Sequence, residues 1–180
     1  MTFVFVTKEF LKWLVLFSNV LLGIILIGLI PTVRKLPIIK HICAALHKRA
    51  LLWSWIVALV ATLGSLFYSE VALYDPCRLC WYQRIFMYPL AIILGIAWWK
   101  NEKHIVKYAI PLAIIGGLIA AYHTAIQFMA AINPSVTDTC AAVGASCRTP
   151  EFWAFGYITI PVMALSAFIL ILFGLWAARK

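Results

Sequence analysis

The sequence predicts an all-α membrane protein, a four-helix transmembrane bundle plus one extra N-terminal transmembrane helix. Three observations predict it. Of 180 residues, 65% are hydrophobic and 12% charged, too little polar surface to coat a soluble globule. The apolar residues fall in five blocks, about 9–30, 51–73, 82–99, 108–131 and 152–176, each near the roughly 20 residues that cross a bilayer as a helix. The connections are short, which leaves no room for a separate soluble domain and places any chemistry at helix ends or in loops.

Taken in order, the first block is the most ambiguous. Lys8 and Lys12 precede an apolar run, as in a signal-like segment, but no small-x-small cleavage site follows and Pro31-Thr32-Val33-Arg34 reads as a membrane exit. Residues 1–50 are therefore expected to be an extra helix and a basic cytoplasmic loop, and 51–180 the four-helix domain. In the later blocks Pro111 is expected in the first turn of its helix, where a missing N–H costs little, whereas Pro89 and Pro161 should kink their spans. Gly116-Gly117 permits close helix approach.

The formal net charge of +9 does not point to nucleic acid, because the basic residues lie between the spans rather than in one patch. Arg34, Lys35, Lys40, Lys48, Arg49, Lys100, Lys103, Lys107, Arg179 and Lys180 fall on one side. Lys8, Lys12, Arg78, Arg84 and Arg148 fall on the other. The positive-inside rule then puts the 74–81 and 132–151 loops, and the N-terminus, outside a cell membrane.

Four of the five cysteines lie in those outer loops: Cys77 and Cys80 in one, Cys140 and Cys147 in the other, with Cys43 expected inside. Cysteines paired on an oxidising face fit disulfide chemistry better than zinc, since no His lies in either loop. Asp75-Pro76 breaks the chain before Cys77 and Trp81-Tyr82 opens the next span, so the C-x-x-C should sit at a helix N-terminus, where the dipole and free N–H groups favour a thiolate. Arg78 and Arg84 add positive charge. The Cys140–Cys147 pair, set among Thr, Ala, Val, Gly and Ser, suits a mobile loop that presents its cysteines to another protein. With Cys43 the sole inner thiol, a dithiol relay across the membrane has no inner terminus, and the electron acceptor should be dissolved in the bilayer. Oxidising a thioredoxin-like partner near about −120 mV takes a sink well above an ordinary thioredoxin dithiol, ~150 mV lower and so ~7 kcal/mol short. A quinone would serve.

Pro76-Cys77-Arg78-Leu79-Cys80-Trp81-Tyr82-Gln83-Arg84, with Tyr68-Ser69-Glu70, Tyr122-His123-Thr124 and Gly156-Tyr157-Ile158-Thr159-Ile160-Pro161, resembles the disulfide bond formation protein B (DsbB) family, in its BdbC-like branch, over about 50–176. The resemblance implies a membrane thiol:quinone oxidoreductase that reoxidises an extracytoplasmic thioredoxin-like thiol oxidase (DsbA/BdbD-like) and reduces ubiquinone or menaquinone, so supporting disulfide formation in exported proteins. It implies that Cys80 faces the quinone with Cys77 as its partner in the resting disulfide, that Cys140 forms the mixed disulfide with the oxidase and Cys147 resolves it, and that Arg84 and His123 contact the quinone. Residues 1–50 lie outside the usual four-helix core, and the Cys140–Cys147 spacing is shorter than in the best-known Gram-negative members.

The residues also admit plainer roles. Arg84 could snorkel to lipid phosphates, His123 could be a satisfied buried imidazole, Glu70 could hold Arg84 or Arg78 or be an interfacial carboxylate, and Trp81 could line the quinone pocket or join Trp53, Trp55, Trp98, Trp99 and Trp153 in an aromatic belt. His41, Cys43 and His47 read as solvated rather than as a metal site. Two other classes compete. A vitamin-K-epoxide-reductase-like enzyme would carry its C-x-x-C late in the bundle, opposite to this order. A non-catalytic membrane protein with structural disulfides would show a polar path through the spans, and Thr62, His123, Gln127 and Thr159 do not form one.

Overall fold

The computed structural model describes residues 2–28, 49–133, 140 and 145–179. Cys43, His41, His47 and most of the basic loop lie outside the described residues. Helix α1 spans Thr2–Gly28, α2 Ala50–Leu66, α3 Arg78–Lys100, α4 Val106–Ile132 and α5 Ile160–Ala178. Helix α2 runs on into a π-helical turn, Phe67–Val71, and a 3-10 turn, Lys103–Ile105, leads into α4. Among the described residues four segments are long and apolar enough to cross a membrane: Ala50–Val71, Arg78–Lys100, Lys103–Ile132 and Ile160–Ala178. Helices of this kind satisfy their backbone internally, as hydrocarbon requires, and their many exposed large side chains, such as Ile92, Leu118 and Trp176, face lipid rather than water.

The four helices close a ring in which α2 packs on α3, α3 on α4, α4 on α5, and α5 back on α2. Helix α1 lies outside that ring, against α5. Leu90, Leu94, Phe168, Ile171 and Leu175 are fully buried at the centre. The glycine pair earns its place on α4: a Cβ at Gly116 would run into the Phe168 ring and Phe86. Gly116→Val is therefore expected to cost about 1–3 kcal/mol by overpacking, read as a lower thermal unfolding midpoint in detergent, and an unchanged midpoint would contradict the close approach.

Two expectations about proline are corrected, because α4 begins five residues before Pro111 and α5 begins at Ile160. Pro111 is thus inside α4, while Pro161 falls in the first turn of α5, where its missing N–H is one of the unbonded donors anyway. The last span is shorter than the apolar block because residues 154–158 form a tight turn, with Phe155 and Gly156 at φ 49° and 77° and an Ala154–Ile158 bridge. Positive φ at two successive residues cannot continue a right-handed helix.

Chain direction puts both cysteine-bearing connections at one end of the bundle. At the other end α3 stops on Asn101 in the left-handed conformation, φ 55°, and Trp55 stacks on Trp98 with ring centroids 5.0 Å apart. Arg49, Lys100, Lys103 and Lys107 gather there by sequence. The N-terminal part of α1 reaches the cysteine end, where the Lys8 ammonium donates to the Tyr74 hydroxyl at 2.8 Å.

Candidate functional site

Cys77 is the N-cap of α3. Its backbone is extended, φ −66° and ψ 169°, and its sulfur accepts from the Cys80 N–H at 3.4 Å. The C-x-x-C sits there because Pro76 holds the chain extended ahead of the helix and Cys77 takes the cap, and the three-residue step brings Cys80 back over the cap in the first turn. The two thiols are free and their sulfurs lie 3.2 Å apart, so closing a bond of ~2.05 Å needs a shift of only about 1 Å. Cys77 is 4% exposed.

The second pair sits beside the first. Cys140 and Cys147 are joined by a disulfide with Cα atoms 5.6 Å apart, and both are buried in one cluster with Cys77, Leu79 and Ile126. The sequence suggests a loop that presents these cysteines; the structure instead holds them under cover, because apolar residues of α3 and α4 offer the sulfurs a dry surface.

His123 of α4, 1% exposed, stands between the pairs. Its Nε2 lies 3.2 Å from the Cys147 carbonyl oxygen and 3.7 Å from the Cys77 sulfur, and its Nδ1 lies 3.0 Å from the Gln83 amide nitrogen. A carbonyl can only accept, so Nε2 carries the proton; in the neutral ring Nδ1 must then accept, and Gln83 donates to it. The Cys77 thiol is held far below its ordinary value, at about 4. The hydrogen bond with the Cys80 side chain is the main cause; burial works against it, while the hydrogen bond and electrostatic pull of the His123 N–H and the Cys80 N–H help. With the pair reduced, Cys77, Cys80 and His123 also bring their ligand atoms within 4.8 Å of one another, a set of soft donors that could hold a thiophilic ion.

The dithiol opens into a cavity of about 590 Å³ whose lining includes Cys77, Cys80, Gln83, Arg84, His123 and Gln127. Arg84 donates from Nη2 to the Ser65 carbonyl at 3.2 Å, and its Nε is buried without a hydrogen-bond partner, as is Gln127 Oε1. An oxygen acceptor near Arg84 and a donor near Gln127 would satisfy both. A ring bearing oxygen functions of that kind, with an apolar body, fits the volume and the mixed lining.

Two expected neighbours are placed differently. Glu70 accepts from the Ser69 hydroxyl at 2.9 Å, while the Arg84 Nη2 donates to the Ser65 carbonyl, because the π-helical turn sets Glu70 outward; the described ion pair is Lys12–Glu9 within α1. Trp81 is 54% exposed and stands outside the cavity lining, with the Arg84 guanidinium 5.2 Å from its ring centroid, so it orients Arg84 rather than forming a wall. Sequence reasoning missed Gln83 as a partner of His123. A signal existed: a polar residue three positions after Cys80 shares its helix face inside an apolar span, where polar groups tend to be functional.

The family model for "Disulfide bond formation protein DsbB" matches residues 47–178. Among curated proteins the chain is 48% identical to the "Disulfide bond formation protein C" of Bacillus subtilis (strain 168), over 66% of this chain and 84% of that one. It is 48% identical to a "Probable disulfide formation protein C" of Bacillus cereus, over 68% and 86%. It is 42% identical to a "Probable disulfide formation protein" of Metapseudomonas resinovorans, over 72% and 89%. No solved structure matches the chain significantly.

Proposed function

The chain belongs to the DsbB family of disulfide bond formation proteins, and from that premise we propose that it is a thiol:quinone oxidoreductase of the cell membrane, with its cysteine loops on the extracytoplasmic face, that reoxidises a thioredoxin-like thiol oxidase and passes the electrons to ubiquinone or menaquinone. The observation that carries this reading is the cavity joining the dithiol to the unpartnered Arg84 Nε, a donor for a quinone carbonyl, and to Gln127 Oε1, an acceptor for the hydroxyl of the reduced ring.

The residues divide the work. A thiolate of the reduced oxidase attacks the Cys140–Cys147 disulfide at Cys140, with Cys147 leaving as a thiolate that attacks Cys77 of the Cys77–Cys80 disulfide and expels Cys80. The oxidase's second thiol then attacks the oxidase sulfur in the mixed bond, so that the oxidase departs oxidised, and the Cys140 it releases attacks Cys147 to re-form the loop disulfide and leave Cys77 and Cys80 reduced. Re-forming the Cys77–Cys80 bond from thiolate and thiol releases two electrons and the Cys80 proton. A quinone held in the cavity would supply the two-electron sink within the bilayer and need two protons, the second of them from solvent, with His123 placed to relay it. Arg84 holds an acceptor oxygen and stabilises the charge that arrives on it.

The test is quinone reduction by the reduced partner oxidase, alongside mass spectrometry of quinone co-extracted with the purified protein. Arg84→Ala should weaken quinone binding by about 10- to 150-fold, the scale of a lost charge-assisted hydrogen bond, with thiol exchange left intact, and Arg84→Lys should restore only part because it lacks the planar fork. Unchanged quinone kinetics in a folded Arg84→Ala protein would assign Arg84 to lipid anchoring.

A further inference from the structure

Helix α1 precedes the segment matched by the family model, which begins at residue 47, yet it takes part in the site. Seven of its residues, among them Leu11, Leu14, Phe17 and Ser18, line the same cavity as Cys80 and Arg84. Its position is set at the cysteine end. Lys8 donates to the Tyr74 hydroxyl and lies 4.4 Å from that ring's centroid, and Tyr74 stands two residues before Pro76 in the strap that delivers Cys77. Trp13 meets Phe155 edge to face, with centroids 5.2 Å apart, and Val15 is buried with Ala154 and Ile158. On α2, Leu11 approaches the bare face of Gly64, 3.7 Å from where a Cβ would stand. These anchors tie α1 to the ring at the redox end, and between them it spans the front of the cavity rather than filling it.

The lining is also graded. Polar groups collect beside the dithiol, where Gln83, Arg84, His123 and Gln127 converge, while α1 contributes aromatic and aliphatic side chains apart from Ser18. A ligand suited to both ends has a polar ring and an apolar tail.

We propose that α1 is a built-in fifth wall of the acceptor site, closing the lipid-facing side so that the apolar tail of a bilayer-dissolved quinone lies between α1 and the α2–α5 groove. This rests on the quinone reading above and adds the element that selects and holds the tail. The ammonium of Lys8 on Tyr74 sets the register of that wall against the strap carrying Cys77.

The experiment uses the full chain in detergent with a ubiquinone analogue carrying a photoreactive azide in its tail. Label on the α1 peptide around Leu14 and Phe17, removed by excess plain ubiquinone, is the expected result. Competed label confined to α2 and α5 overturns the role of α1 and leaves the quinone reading standing. No competed label anywhere overturns both. Kinetics give an independent readout: Leu14→Ala should raise the KM for a long-tailed quinone roughly tenfold, the scale of a lost apolar contact in a pocket, and should have little effect on a quinone with a minimal tail. Equal effects on both quinones, or none on either in the folded variant, overturn the proposal.

Discussion

Cys80→Ala is expected to stop electron delivery, slowing acceptor reduction by roughly 10⁴-fold or more, the scale reached when a reacting group is removed outright. Without Cys80 the Cys77 sulfur, 3.2 Å away, has no partner with which to close a disulfide. The same change removes the main cause holding the Cys77 thiol at about 4, so that value should climb toward the ordinary range near ~8.5, restrained only by His123 and the helix N-terminus. The sign of the effect is readable in alkylation. In the reduced protein Cys77 stays thiolate down to about pH 4, so its rate with iodoacetamide should be flat across neutral and mildly acidic pH. In Cys80→Ala the rate should fall about tenfold per pH unit below the raised value. A depressed thiol pKa also stabilises the folded, reduced protein most above the unfolded value of ~8.5, and that contribution drains away as the pH falls toward about 4. A flat alkylation profile in the variant would show that Cys80 does not hold the Cys77 thiolate.

Cys147→Ser should be nearly as damaging to turnover, by a different route. Its partner Cys140 is 2% exposed and Cys147 itself fully buried, so the native disulfide is reached only when the segment around 145–151 shifts. Breaking the pair leaves Cys140 without a resolving thiol, and a mixed disulfide with the oxidase should accumulate as a higher-mass species that a reductant removes. Turnover should drop by more than roughly 10³-fold. If Cys147→Ser forms disulfides at the normal rate with no adduct, the second pair is a structural bridge.

Much of this molecule was legible in its sequence because hydrocarbon leaves few options. Long apolar runs must be helices, and the Asp75-Pro76 break followed by Cys77-Arg78-Leu79-Cys80 leaves one place for the dithiol, the cap of α3. The start of α5 was not legible, because Phe152 and Trp153 are as apolar as the helix itself and only the positive φ of Phe155 and Gly156 separates turn from span. Side-chain partners were harder still. Glu70 and Arg84 invite pairing by charge, but the π-helical turn at Phe67–Val71 adds a residue to the last turn of α2 and so changes which face Glu70 occupies, a shift that hydrophobic periodicity does not record. The contribution of α1 to the cavity depends on long-range contacts such as Lys8 to Tyr74, for which no local pattern exists.

One imidazole touches both cysteine pairs. Because the Nε2 proton of His123 is offered at once to the Cys147 carbonyl and toward the Cys77 sulfur, any movement of residue 147 that frees this proton strengthens its hold on the Cys77 thiolate. Thermodynamic reciprocity then requires that ionising Cys77 loosen the Cys147 segment by the same free energy. The two redox couples are thus not additive: the midpoint potential of each depends on the state of the other, and a titration of the whole protein should deviate from the sum of titrations of proteins carrying one pair alone.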